Sequence, residues 1–284
     1  MDKGARRINQ WSKTDQQFTR RGKRAKKSLG QNFLVDSNVA RKIVRCLQIE
    51  TGELVLEIGP GPGALSDALL QSGARVVGVE KDLSLARDLK LRRPDMDLIA
   101  VDARNMAWDR LSRSGIGKVI GNLPYNVASP LIWEVVSLFV QATKMVFTVQ
   151  KEVGQRLAAN PGTKEYGGLS VWVQNFVRPQ VECILGPTVF RPRPRVESAV
   201  VSLVPLAQCP NPEQYAALAA LVRTCFQKRR KQLKTTLRPM WSDALQNWFD
   251  EHGIQPQARA EELTPRDFLS LSQRVYFSQE LGRR

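Results

Sequence analysis

The sequence predicts an α/β chain: an open, largely parallel sheet with helices on its faces, followed by a small α-helical domain. Short apolar runs alternate with amphipathic stretches as far as Pro205, the pattern of repeated strand and helix units. Three successive runs end in a polar residue, Glu80, Asp102 and Asn122. Open α/β sheets bind ligands at the carboxyl ends of their strands, so that serial placement defines a candidate site. Beyond Pro205 strand-like runs cease, Pro210 and Pro212 mark a linker, and helical stretches continue to the end.

Composition narrows the partners. Lys plus Arg is 43 against 27 Asp plus Glu, a net charge of +16 in 284 residues. Such an excess points to a polyanion, and sparse aromatics without a dominant amphipathic helix favour nucleic acid over a membrane face. No apolar run approaches the roughly 18 residues of a membrane span. Cys46, Cys183, Cys209 and Cys225 are scattered without a C-x-x-C pair. That excludes a zinc site or disulfide framework and implies a reducing compartment, here the cytoplasm. His252 is the only histidine and lies far from every motif, which argues against histidine acid–base chemistry.

Residues 1–27 carry ten basic side chains against Asp2 and Asp15, which reads as a solvated basic arm that meets nucleic acid. Ile8, Trp11 and Phe18 fall at helical spacing, but the two acids and the lack of serine enrichment argue against a mitochondrial presequence. An α/β domain is then expected over residues 28–205 and a helical domain over 206–284.

The α/β part begins with an amphipathic helix over residues 37–47. The apolar run Leu54-Val55-Leu56-Glu57-Ile58 follows, then the turn Gly59-Pro60-Gly61-Pro62-Gly63 and a helix from Ala64. A strand, glycine turn and helix start let backbone approach a ligand closely. Gly59, Gly61 and Ala64 also satisfy the dinucleotide pattern G-x-G-x-x-A. Pro62 counts against a dinucleotide, because a pyrophosphate needs backbone N–H groups and proline donates none.

The strand 75–79 ends in Glu80, about twenty residues past that turn, where a carboxylate can accept from both ribose hydroxyls. The strand 98–101 ends in Asp102, placed to take a cofactor adenine's amino group. Lys118-Val119-Ile120-Gly121 leads into Asn122-Leu123-Pro124-Tyr125. Proline holds that turn stiff, and amide and aromatic ring sit together at a strand end. An ordinary β-turn with a packed tyrosine remains the simpler alternative.

A helix over 129–140, a strand over 144–150 and a helix carrying Arg156 come next. Tyr166-Gly167-Gly168-Leu169-Ser170-Val171 is read as leading into a strand ending near Val177, and the segment from Phe190 as a stiff loop ending in the last strand. Between Tyr215 and Trp241 no acid occurs. Arg223, Lys228, Arg229, Arg230, Lys231, Lys234 and Arg238 are expected on one face of an amphipathic helix, as a phosphate-binding surface.

Several of these segments resemble one family. Lys27-Ser28-Leu29-Gly30-Gln31-Asn32-Phe33-Leu34 resembles the leading motif of the KsgA-type ribosomal RNA adenine dimethyltransferases and their resistance-conferring relatives. Glu57-Ile58-Gly59-Pro60-Gly61 resembles the first motif of class I methyltransferases, and Asn122-Leu123-Pro124-Tyr125 the turn of adenine amino-group methyltransferases. The resemblance spans residues 25–237. It departs at Pro194-Arg195-Val196-Glu197-Ser198, where the family more often has Pro-Lys-Val-Asp-Ser.

The resemblance implies a class I, Rossmann-like, seven-stranded sheet with a reversed edge strand. It implies S-adenosylmethionine as cofactor, touched by Asn32, Leu34, Gly59, Gly61, Glu80, Asp102 and Asn122. Asn122 with the Leu123 or Pro124 carbonyl would accept from adenine N6, while Tyr125 and Phe190 wall the base. The implied activity is N6,N6-dimethylation of adenosines, two of them adjacent, in small-subunit 16S-type ribosomal RNA during assembly. The implied partner is the immature small subunit, bound by a monomer that uses no metal. A large-subunit adenine methyltransferase of the macrolide-resistance type shares nearly every motif. A non-catalytic nucleic-acid-binding factor on the same scaffold would not need the site residues present here.

Overall fold

A computed structural model describes residues 31–281, with side chains described through residue 276. The basic arm over residues 1–27 lies outside the described residues. Seven strands form one sheet in the order β4-β3-β2-β5-β6-β9-β7. These are β2 (Leu54–Ile58), β3 (Arg75–Glu80), β4 (Asp97–Ala100), β5 (Lys118–Asn122), β6 (Lys144–Gln150), β7 (Val177–Leu185) and β9 (Ser198–Pro205). β4, β3, β2, β5 and β6 run parallel, with Leu56 opposite Val77 on one side and Val119 on the other. Strands buried on both faces read as continuous apolar runs, which is why β2, β3, β5 and β6 were legible; β4, at the edge, is only partly covered.

Helices α1 (Ser37–Arg45), α2 (Ala64–Gln71), α3 (Leu83–Arg92), α4 (Trp108–Ser112) and α5 (Ala128–Leu138) supply the crossovers and cover. α1 starts where Asp36 accepts the Asn38 and Val39 N–H groups, leaving its buried face to Ala40, Ile43 and Val44.

The sheet's reversed strand is not its edge. β9 runs antiparallel to both β6 and β7, so the edge strand β7 is parallel to the rest and β9 sits second from the edge. A second correction concerns the strand expected to end near Val177: the stretch before it is helix α7 (Gly168–Gln174), after α6 (Lys151–Leu157), and strand β7 begins at Val177. Leu169-Ser170-Val171-Trp172-Val173 has β-like composition, but tertiary packing overrides it. The Trp172 ring stacks on Trp133 at 4.3 Å, and its indole N–H donates to the Trp133 carbonyl at 2.6 Å. In this helix Val171, Trp172 and Val173 are all buried.

The C-terminal helices are α8 (Pro212–Gln227), α9 (Leu233–Thr236), α10 (Asp243–Glu251) and α11 (Pro265–Leu281). Asn211 caps α8 reciprocally with Gln214, with Pro212 at its first turn. These helices share one continuous core with the sheet, running from Leu56 and Phe147 through Leu218 and Leu221 to Phe249 and Phe268. Tyr166 fastens them: it is fully buried and its hydroxyl donates to the Leu263 carbonyl at 2.9 Å. Gly168 allows the close approach, since a Cβ there would lie 3.1 Å from Val222. Among the described residues no helix is long and apolar enough to cross a membrane.

Candidate active site

The carboxyl ends of β2, β3, β4 and β5 open into one cleft. It is lined by Asn32, Leu34, Gly59, Gly61, Glu80, Asp102 and the whole of Asn122 to Tyr125. The chain therefore brings together every residue expected at the cofactor, although they are separated by up to 90 positions.

Gly61 has φ +55, and a Cβ there would lie 3.1 Å from the Phe33 ring. The turn thus needs glycine for its backbone and for the aromatic ring that closes over it. Glu80, 5% exposed, holds this turn from β3: one oxygen accepts the Gly61 N–H at 2.9 Å, the other the Asp82 N–H at 2.7 Å. Burial raises its carboxyl pKa, and the two backbone donors partly oppose that rise. From α3, Arg92 donates to the Pro62 carbonyl at 2.8 Å and secures the far side of the turn.

Glu57 lies at the cleft floor, and sequence reasoning passed over it as a site residue. It is 1% exposed, accepts from Ser66 at 2.6 Å, and burial pushes its carboxyl up to about 8. Asp102 behaves oppositely. Hydrogen bonding from Arg104 and from Lys81 holds its carboxyl well below the ordinary range.

Asn122 closes β5. Its side-chain N–H donates to the backbone carbonyl of Asn32 at 2.8 Å, which fixes the amide and ties the leading segment to the turn. Among the described residues no protein group donates to Asn122 Oδ1, so that oxygen is left as an acceptor. The turn itself is pinned by Leu123 N–H to the Thr148 carbonyl at 3.1 Å and by Val127 N–H to the Pro124 carbonyl at 3.0 Å. Of the two carbonyls expected to share the acceptor role, Pro124's is thus already engaged and Leu123's is not. Tyr125 is half-buried, its hydroxyl 2.6 Å from Ser198 Oγ, and burial raises its pKa. Ser198 closes the family-resembling segment 194–198, but its contact with Tyr125 crosses 73 positions and left no sequence signal.

Phe190, expected as a second wall for the base, sits behind the cleft. It lies on β8 (Phe190–Arg191), which pairs antiparallel with β1 (Phe33–Leu34) and sets it opposite Leu34. There it is 0% exposed inside the second apolar cluster and is not among the residues lining the cleft. The aromatic side chain over the cleft at this end is Phe33.

The basic surface differs too. α8 ends at Gln227, so Lys228, Arg229, Arg230 and Lys231 sit in a connecting turn rather than on one helix face with Arg223 and Lys234. Arg229 is structural: it pairs with Glu261 at 2.7 Å and donates to the Lys164 carbonyl at 2.6 Å. Arg223, Lys228, Arg230, Lys231 and Lys234 are exposed, the last 5.8 Å from the Trp241 ring centre. Among the described residues no group of three or more His, Cys, Asp or Glu could hold a metal ion.

A doubly wound sheet with a reversed strand, a glycine turn gripped by an acid on the next strand, and polar strand ends around one cleft define a class I S-adenosylmethionine-dependent methyltransferase. A search of family models matches residues 22–276 to the ribosomal RNA adenine dimethylase family. This chain belongs to that family, and its cofactor is S-adenosylmethionine. Among curated relatives, the ribosomal RNA small subunit methyltransferase A of Oleidesulfovibrio alaskensis is 48% identical, covering 88% of this chain and 90% of its own. That of Lawsonia intracellularis is 41% identical, covering 88% and 93%. Among solved structures, a dimethyladenosine transferase from Plasmodium falciparum aligns over 84% of this chain and 95% of its own, with a TM-score of 0.69 and 25% identity. The 23S rRNA methyltransferase ErmE aligns over 86% and 99% with a TM-score of 0.63; at 20% identity it speaks for the fold alone.

Proposed function

We propose that the protein dimethylates N6 of two adjacent adenosines in small-subunit ribosomal RNA during ribosome assembly. It acts as a monomer on the immature particle in the cytoplasm. Identities of 41–48% to relatives named for the small subunit support that substrate. The observation that carries the chemistry is the Asn122 amide. Its N–H is committed to Asn32, which fixes the amide at the cleft and leaves its oxygen as the acceptor.

The adenine amino group is a poor nucleophile because its lone pair is delocalised into the ring. Accepting both N6–H bonds, from Asn122 Oδ1 and the Leu123 carbonyl, localises that lone pair as N6 becomes tetrahedral. These acceptors favour the positive charge that develops only in the transition state. Tyr125 stacks on the base and holds it within reach. When bound, S-adenosylmethionine supplies a methyl group activated by its sulfonium. The cleft fits that cofactor: the Glu80 oxygens keep lone pairs for ribose hydroxyls, and the glycine turn at Gly59 and Gly61 lines the cleft beside them. The N6 proton is lost after transfer, when it is acidic, so no strong base is needed.

The exposed cations around Arg223, Arg230 and Lys234 bind phosphate backbone, which positions the RNA without reading its sequence. Selectivity then lies in the shape of the particle. The test is methylation of purified small and large subunits, their free RNAs and a hairpin oligonucleotide, with N6,N6-dimethyladenosine mapped by mass spectrometry. Product confined to small subunits is expected. Product confined to large-subunit RNA, or equal activity on the bare hairpin, overturns the reading.

A further inference from the structure

Stacking on an adenine uses only the face of the Tyr125 ring, and a phenylalanine would present the same face. The hydroxyl therefore calls for another explanation, and its single described partner is Ser198 Oγ at 2.6 Å. We propose that Ser198 is a positioning residue for methyl transfer: it holds the far end of the Tyr125 ring so that the stacked base presents N6 to the cofactor cleft. This rests on the adenine-methylating reading above.

Ser198 is built to be immovable. It is 0% exposed and opens β9, where it is flanked on both sides in the sheet, by Gln150 of β6 and Leu185 of β7. Tyr125, by contrast, lies in the turn after β5 and is only half-buried. Its backbone is steadied by the Leu123 N–H bond to Thr148 and by the Pro124 to Val127 turn. Those bonds leave the two side-chain torsions of Tyr125 free to set the ring plane. The hydroxyl contact fixes the far end of the ring axis and so the first torsion, while rotation about that axis is restrained through the in-plane preference of the phenolic O–H. Methyl transfer needs the reacting atoms near 3–3.5 Å and aligned, and a misplacement of about 1 Å costs about 100-fold. The same bond sets the direction of the constraint. Ser198 belongs to the strand that follows the Arg191-to-Glu197 loop, so the base wall is referenced to the β6–β9–β7 half of the sheet, whereas the cofactor turn belongs to β2 and β3.

The test compares wild type, Ser198→Ala, Tyr125→Phe and the double variant on small ribosomal subunits, under single turnover and steady state. Each single change is expected to lower kcat about 10- to 100-fold with KM for the RNA changed less than threefold. The double variant is expected to be no slower than the slower single one, because both remove one contact. S-adenosylmethionine affinity should be unchanged in all four, which also verifies folding. Ser198→Ala at the wild-type rate, or losses that multiply in the double variant, overturns the inference. Should wild type methylate large-subunit RNA instead, the substrate reading fails. The same four proteins are then compared on that RNA, where the same outcomes decide the role of Ser198.

Discussion

Replacing Asn122 by aspartate separates two functions that one amide performs. Aspartate has nearly the same shape and keeps an oxygen to accept from adenine N6. It loses the N–H that donates to the Asn32 carbonyl at 2.8 Å and sets a carboxylate oxygen against that carbonyl instead. Removing one partner of a part-buried hydrogen bond costs about 1–3 kcal/mol when the other is left unpaired. At about 1.4 kcal/mol per tenfold, that corresponds to about 5- to 150-fold. Because Asn32 lines the cofactor cleft, the loss is expected in S-adenosylmethionine affinity as well as in kcat. Asn122→Ala removes the acceptor too, and deleting one preorganised transition-state partner typically costs about 100- to 1,000-fold in kcat. Calorimetric titration with S-adenosylhomocysteine and single-turnover methylation of small subunits measure both quantities. The order wild type, Asp, Ala is expected for rate, with Asp and Ala equally impaired in cofactor binding. An Asn122→Asp variant that bound cofactor as tightly as wild type would refute the coupling between the leading segment and the catalytic turn.

Three further outcomes are expected. Tyr125→Ala should abolish transfer while leaving cofactor affinity within about twofold, since a stacking loss of about 1–3 kcal/mol falls on the base; comparable loss of cofactor binding would contradict its role. Gly121→Ala should destabilise the fold by about 1–3 kcal/mol, because its Cβ would sit 2.7 Å from the Ile58 carbonyl oxygen between β5 and β2; urea unfolding within 0.5 kcal/mol of wild type, about the size of a neutral surface change, would show that the strands yield. Glu57 is raised by burial to about 8 from 4.5, so the folded state holds a proton that the unfolded state releases between those values. Its contribution to stability is therefore present at low pH and is lost as pH rises from 4.5 to about 8, by at most about 1.4 kcal/mol per pH unit. Cofactor-free Glu57→Gln should gain on wild type across that window and level off above it; a pH-independent difference would reject the assignment.

The local pattern of the chain determined the parallel strands and the residues at their ends. β2, β3 and β5 are largely apolar, largely buried runs, and β3 and β5 close in Glu80 and Asn122, whose polarity breaks the run. Such features depend on neighbours a few positions away. The same holds for the glycine turn, whose residue types were constrained by backbone conformation before any packing was known. Segments whose state depends on distant partners were not legible in that way. Residues 168–174 have strand-like composition and became helical because Trp172 needed Trp133 and the sheet. The basic run stops being helical at Gln227, and Arg229 is spent on Glu261 and a distant carbonyl. The pairing of β8 with β1 buries Phe190 in the same apolar cluster as Leu34, a placement no local pattern announces. Above all, sequence placed Asn122 and Tyr125 in the site, but only the tertiary structure decided how they are aimed. The Asn32 carbonyl and the Ser198 hydroxyl do that from 90 and 73 positions away. A hydrogen bond across that separation leaves no periodicity in the chain, since its geometry exists only once the sheet has closed.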